Sequence, residues 1–104
     1  MPFIFEQNNG IGILKFYGDL TSDSAHMVKK VFFVALSKSD QLIVDIKDVS
    51  KIGDFFTDQI YLVKKISKRL KKKFTMVNFP AEIFEKIEAA KMSDENKEVE
   101  ISQF

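Results

Sequence analysis

Aspartates, one histidine and a run of lysines are the side chains of this 104-residue chain that could do chemistry. His26 is the only histidine and there is no cysteine, so a zinc site lacks suitable ligands. A lone histidine near a helix start is more often a solvated or capping residue than a catalytic base. The Gly10-Ile11-Gly12 stretch precedes a predicted strand and lacks the third glycine of a dinucleotide loop. The sequence therefore predicts no catalytic residue, no metal and no cofactor.

Two aspartates, Asp54 and Asp58, stand four residues apart at the start of a predicted helix. Together with Asp19 they could serve a small enzyme or a nucleotide-binding domain, as an acid/base pair or a magnesium site. The simpler interpretation is that carboxylates at a helix start cap free N–H groups and face the positive end of the helix dipole. We favour the simpler one.

Charge is unevenly distributed along a chain whose net charge is only +1. Residues 64–73 hold seven basic side chains and no acid, whereas residues 81–100 hold seven acids and three lysines. The basic run could bind nucleic acid or anionic lipid, but cations at a helix C-terminus also complement the helix dipole. Because the rest of the chain is not basic and carries no base-stacking motif, we expect no nucleic-acid partner.

Length and composition are those of one globular domain spanning residues 1–104, with 45% apolar and 30% charged residues. The absence of cysteine favours a reducing compartment, and the first residues lack the pattern of a signal peptide. The longest apolar run, Val31–Leu36, is far shorter than the about 20 residues that span a bilayer. We expect a cytoplasmic protein.

Hydrophobic patterning predicts the order β-β-α-β-α-β-α, with residues 93–104 as a final edge strand or a disordered tail. A strand is the competing interpretation of the helical run 31–36. Strands that alternate with helices predict an α/β layer architecture. The predicted elements are strands over 3–7 and 11–17 with Gly18 as the end, a helix after 21–23, a strand over 41–46, a helix after Gly53, a strand over 74–77 and a helix from Pro80.

Three stretches together resemble the STAS domain family, that of bacterial anti-sigma-factor antagonists. They are F-Y-G-D-L-T-S-D-S-A at 16–25, L-I-V-D-I-K-D-V-S-K-I at 42–52 and F-T-M-V-N-F-P at 74–80. Each motif alone is weak, but their spacing fits the family without a gap between the second and third. The resemblance spans most of residues 11–92. It implies a mixed sheet of four to five strands with helices packed mainly on one face.

The chain departs from the family directly after Ile52. Relatives typically carry Asp-Ser-Ser-Gly-Leu-Gly there, and a partner kinase phosphorylates the second serine. In register, Gly53 replaces the aspartate, Asp54 the first serine and Phe55 the phosphorylated serine. Phenylalanine has no hydroxyl that could accept phosphate, so the resemblance implies a protein that is not switched at this position.

The two phenylalanines of this stretch have different helical neighbours. Phe56 is in phase with Ile60 and Val63, which predicts a core position. Phe55 shares a second stripe with Leu62 and Ile66. Two roles are open to it, a core residue or an apolar anchor that enters a pocket of a partner.

The resemblance implies a non-enzymatic regulatory module that binds a protein, such as an anti-sigma factor, a kinase-like protein or another regulator. A first alternative is an accessory subunit of a lipid or anion transporter, which would meet the membrane only indirectly. The enzyme or nucleotide-binding domain described above is the second, and a homodimer through the apolar first helix is compatible with all three. The predicted partner-binding residues are Asp19, Thr21, Gly53, Asp54, Phe55, Thr57 and Asp58.

Overall fold

The computed structural model describes residues 3–21, 24–78, 80–82 and 85. Four strands form one sheet in the order β1-β2-β3-β4, so that each strand lies beside its neighbour in the sequence. The predicted mixed α/β fold is confirmed, and the predicted helix from Pro80 and the tail 93–104 lie largely or wholly outside the described residues. The elements are β1 (Phe3–Asn8), β2 (Ile11–Leu20), α1 (Ala25–Ser37), β3 (Gln41–Ile52), α2 (Asp54–Arg69) and β4 (Lys73–Val77).

A two-residue turn joins the antiparallel strands β1 and β2. Asn9 has a φ of 51° and Gly10 a φ of 82°, the left-handed conformation that both central residues of such a hairpin turn require. The predicted hairpin is therefore confirmed, and β1 forms one edge of the sheet.

Two crossovers of the same kind build the rest of the sheet, since β2, β3 and β4 are parallel. Helix α1 connects β2 to β3 and α2 connects β3 to β4. Because such crossovers are right-handed and both advance in the same direction across the sheet, the two helices lie on one face. The core lies between that face and the helices and is formed by Leu14, Phe16, Leu20, Val28, Phe32, Ala35, Leu36, Leu42, Val44, Ile46, Val49, Ile52, Phe56, Ile60, Val63, Phe74 and Met76.

Strand β2 is longer than predicted. Leu14 and Phe16 are buried in the core, whereas Ile11 is 40% exposed on the opposite face of the strand. The strand also passes through Gly18 instead of ending there, with φ +75° at the glycine and irregular pairing on either side of it. These irregularities let β2 and β3 stay paired for several residues beyond the predicted ends.

The run Val31–Leu36 is helical, so the strand alternative is wrong. It is not buried all round: Phe32, Ala35 and Leu36 pack in the core, whereas Val34 is 42% exposed. In the described part of the chain, neither helix combines the length and hydropathy needed to cross a membrane.

Candidate functional site

The strand-to-helix corner at Gly53 is fixed to the end of β2. The Gly53 N–H donates a hydrogen bond of 2.8 Å to the carbonyl oxygen of Leu20, and the Gly53 carbonyl accepts bonds from the N–H groups of Phe56 and Thr57. The first bond brings the exposed residues Asp19 and Thr21 beside the start of α2. Most of the predicted partner-binding residues are thus gathered at one end of the sheet, where the parallel strands have their carboxyl ends.

Gly53, and not an aspartate, is the residue that caps α2. It has no side chain to accept a hydrogen bond, so the capping role that we expected for the aspartates is wrong. Asp54 is the first helical residue, in the turn where a negative charge faces the positive end of the helix dipole. Asp54 and Asp58 are both exposed.

Phe56 turns inward, as predicted, and is 1% exposed. Its ring meets Phe16 edge-on at a centroid distance of 5.5 Å and lies 5.8 Å from Phe32. Phe16 and Phe32 are themselves 5.5 Å apart, which closes a triangle of rings at preferred aromatic separations. One ring comes from β2, one from α1 and one from α2, so this triangle holds the corner against both neighbouring elements.

Phe55 lies half-buried on the outer side of the same turn. Among the described residues it belongs neither to the core cluster nor to the partly buried side chains packed against it, although Ile66 further along its stripe does pack there. Leu62, two turns along that stripe, is 38% exposed. The structure therefore places the two adjacent phenylalanines in different environments, one inside and one at the surface.

Thr57 differs from its prediction as a contact residue because its side chain is only 2% exposed. Its hydroxyl, and the side-chain oxygen of Gln59, are buried without a hydrogen-bond partner among the described residues. Gln59 was missed by sequence reasoning; the available signal was its place on the stripe of Phe55, Leu62 and Ile66, where an amide interrupts apolar residues.

The surface around the corner is mixed in charge. Within the described ranges, no group of three or more His, Asp or Glu side chains is placed to hold a metal ion, and the three aspartates of the enzyme alternative form no such group. The exposed charged residues of β2, β3 and the start of α2 are Asp19, Lys47, Asp48, Lys51, Asp54 and Asp58.

Comparison with known proteins identifies one family. The STAS domain model matches residues 3–103. None of the curated protein sequences is a significant match.

Solved structures share the fold at low sequence identity. The phosphorylated form of the Bacillus cell fate determinant SpoIIAA, an anti-sigma factor antagonist, aligns with a TM-score of 0.72 at 8% identity, covering 88% of this chain and 85% of that one. A Thermotoga maritima protein, suggested to be an anti-sigma factor antagonist, gives 0.72 at 24% identity and covers 95% and 84%. The murine Solute Carrier 26 family member A9 anion transporter gives 0.67 at 16% identity, with 81% of this chain but 14% of the transporter covered.

Proposed function

The chain belongs to the STAS domain family, and from this membership we propose that it is a non-enzymatic, cytoplasmic regulatory module that binds a protein partner. The fold that it shares with SpoIIAA, an anti-sigma factor antagonist, supports a role of this type. We propose an anti-sigma factor, a kinase-like protein or another regulator as the partner.

The proposed contact region is the corner surface, which we define as Asp19, Thr21, Gly53, Asp54, Phe55 and Asp58. Its support is geometric: the bond between Gly53 and Leu20 joins the end of β2 to the start of α2, and all these residues except Gly53 and Phe55 are exposed. Thr57 is left out of the corner surface because its side chain is buried.

The observation that carries the proposal is the position of Phe55. Phe55 is partly exposed and lies outside the described core cluster, and exposed aspartates stand on either side of it in the sequence. Aromatic side chains that fill a partner's pocket dominate many interfaces, and their truncation costs roughly 2 kcal/mol or more. Phe55 is the proposed anchor, and Asp54 and Asp58 supply charge at its rim.

Binding at this surface is independent of phosphate at residue 55. The family resemblance aligns Phe55 with the serine that relatives phosphorylate, and a benzyl side chain has no oxygen that could accept a phosphoryl group. Phosphoserine carries nearly two negative charges and can break an interface by repulsion. With Phe55 in its place, the affinity depends on apolar contact, and regulation has to act elsewhere.

The test compares Phe55→Ala with Val34→Ala, which truncates another partly exposed apolar side chain, on α1 and away from the corner. Tagged wild type and variants are purified from the host, and proteins that copurify are quantified by mass spectrometry. The affinity for the protein so identified is then measured by calorimetry. We expect Phe55→Ala to weaken binding by about 30-fold, the equivalent of roughly 2 kcal/mol, and Val34→Ala to leave it unchanged. Equal affinities of wild type and a folded Phe55→Ala variant would show that Phe55 is not the anchor.

A transporter subunit is the second candidate, because the anion transporter named above contains the same fold as a small part of its chain. Neighbouring genes separate the candidates: a sigma-factor cluster supports the regulator, and a transporter operon supports the subunit.

A further inference from the structure

The end of the molecule opposite the corner surface includes two loops that are tied together, beside the turn between β1 and β2. The Lys72 ammonium donates a hydrogen bond of 2.7 Å to the carbonyl oxygen of Leu36 in the last turn of α1. The Lys73 N–H donates one of 3.1 Å to the carbonyl oxygen of Asp40. The loop between α1 and β3 therefore lies against the loop between α2 and β4.

These two bonds bring Lys38 beside the basic run of residues 64–73. We call the group Lys38, Lys68, Arg69, Leu70, Lys71 and Lys73 the basic end; all six side chains are exposed. Asp40 is the one acidic residue in the two loops, at 38–40 and 70–72. Because the two loops are joined, these cations face the same region of solvent and act together on a charged surface.

An apolar side chain projects from the middle of these cations. Leu70 is 54% exposed, the largest exposed fraction among the large hydrophobic residues of the described chain. It follows directly after α2 and stands between Arg69 and Lys71. Its burial contributes little to the fold, so the side chain is available for contact with another surface.

Lys71 occupies a backbone position that glycine would fill with less strain. Its φ is +59°, and the bonds from Lys72 N–H to the Ser67 carbonyl and from Lys71 N–H to the Lys68 carbonyl form a Schellman motif. The residue in this left-handed position is usually glycine, because a Cβ is crowded there. The chain thus keeps a cation beside Leu70 at a conformational cost, and strain of this kind is an indication of function.

We propose that the basic end binds the surface of a membrane that contains anionic lipids, with the cations over headgroup phosphates and Leu70 inserted at the interface. Lysine predominates in this group, and its compact hydrated charge suits a diffuse layer of phosphates, whereas arginine suits bidentate pairing with a fixed carboxylate. Clustered basic residues are the known signature of attraction to anionic leaflets, and a neighbouring apolar side chain adds affinity by burial.

This surface is independent of the corner surface. Helix α2 begins at the corner and ends at Arg69 after 16 residues, which separates the two surfaces by about 24 Å. A protein partner at the corner and a membrane at the basic end can therefore be bound together, and either proposal can fail without the other.

The test is co-sedimentation of the full chain with vesicles of phosphatidylcholine alone or with an equal part of phosphatidylglycerol. The charge variant is Arg69→Gln with Lys71→Asn, since asparagine tolerates the left-handed backbone. The apolar variant is Leu70→Ser. The matched control removes two exposed lysines next to the corner, Lys47→Gln with Lys51→Gln, and circular dichroism verifies the fold of each.

We expect the wild type to bind the anionic vesicles only. The affinity should fall about 30-fold in the charge variant and about fivefold in Leu70→Ser. The control should bind within about twofold of the wild type. Absence of wild-type binding to anionic vesicles would overturn the proposal, as would an equal loss in the control. Unchanged binding of Leu70→Ser would also overturn it, and would favour an acidic protein or a nucleic acid as the ligand of these cations.

Discussion

Truncation of the two adjacent phenylalanines is expected to have opposite consequences for stability and binding. In Phe56→Ala, the lost ring is 1% exposed and contacts two further rings at centroid distances of 5.5 and 5.8 Å. Phe→Ala substitutions in cores cost about 3–5 kcal/mol. Because a domain of this size is stable by only about 5–15 kcal/mol, this single change removes a large fraction of the total.

In Phe55→Ala, the ring is half-buried and packs outside the described core cluster, so the loss of unfolding free energy is expected to be about 1 kcal/mol or less. Partner binding should show the reverse order. Phe55→Ala weakens it directly, while the folded fraction of Phe56→Ala retains it.

Equilibrium unfolding in urea, followed by far-ultraviolet circular dichroism, measures both free energies without depending on tryptophan, which the chain lacks. A loss of about 3 kcal/mol or more corresponds to a fall in Tm of roughly 12 °C or more for Phe56→Ala. Phe56→Leu, which keeps most of the volume, should cost less than Phe56→Ala. If the two alanine variants lost equal stability, the assignment of one ring to the core and one to the surface would be refuted.

Three backbone positions give further predictions. Gly12→Ala should lower the unfolding free energy by about 2 kcal/mol, since a Cβ would collide with the Ser39 hydroxyl and lie 2.8 Å from the Phe5 ring. Gly18→Ala, with φ +75° and no neighbour within 4 Å among the described residues, should lower it by only about 1 kcal/mol. Urea unfolding gives the order of the two losses, and a larger loss for Gly18→Ala would contradict it. Lys71→Gly should raise the unfolding free energy by roughly 0.5–1 kcal/mol, because glycine relieves the strain at φ +59°. The same change removes a cation and should weaken vesicle binding. A gain in vesicle binding, or a loss of stability, would contradict the interpretation of this residue.

Much of the architecture follows from local patterns. The Asn-Gly turn specified the hairpin, and the apolar spacing that includes Phe56 specified the buried face of α2. The ends of β2 and β3 did not follow, because Lys47, Asp48, Ser50 and Lys51 are polar and extend the strand only through their pairing with β2.

The same limit applies to the candidate site. The strand-to-helix corner at Gly53 is held by a hydrogen bond to Leu20, which lies 33 positions earlier. No local sequence pattern reveals a contact of this kind. The basic run of residues 64–73 was visible in the sequence. Its contact with the loop that holds Lys38 was not, because it depends on the hydrogen bond between Lys72 and Leu36. Long-range hydrogen bonds, and not local sequence patterns, completed both surfaces.

The sequential strand order has a consequence for how the chain folds. Since no strand inserts between two earlier ones, the sheet can grow by addition at one edge, and only short segments must close before each pairing forms. Mixed domains of this kind fold at rates between those of helical bundles and of sheets made by distant pairings. During synthesis, the ladder between β2 and β3 can form before β4 leaves the ribosome, and the Gly53 corner can be established at that stage.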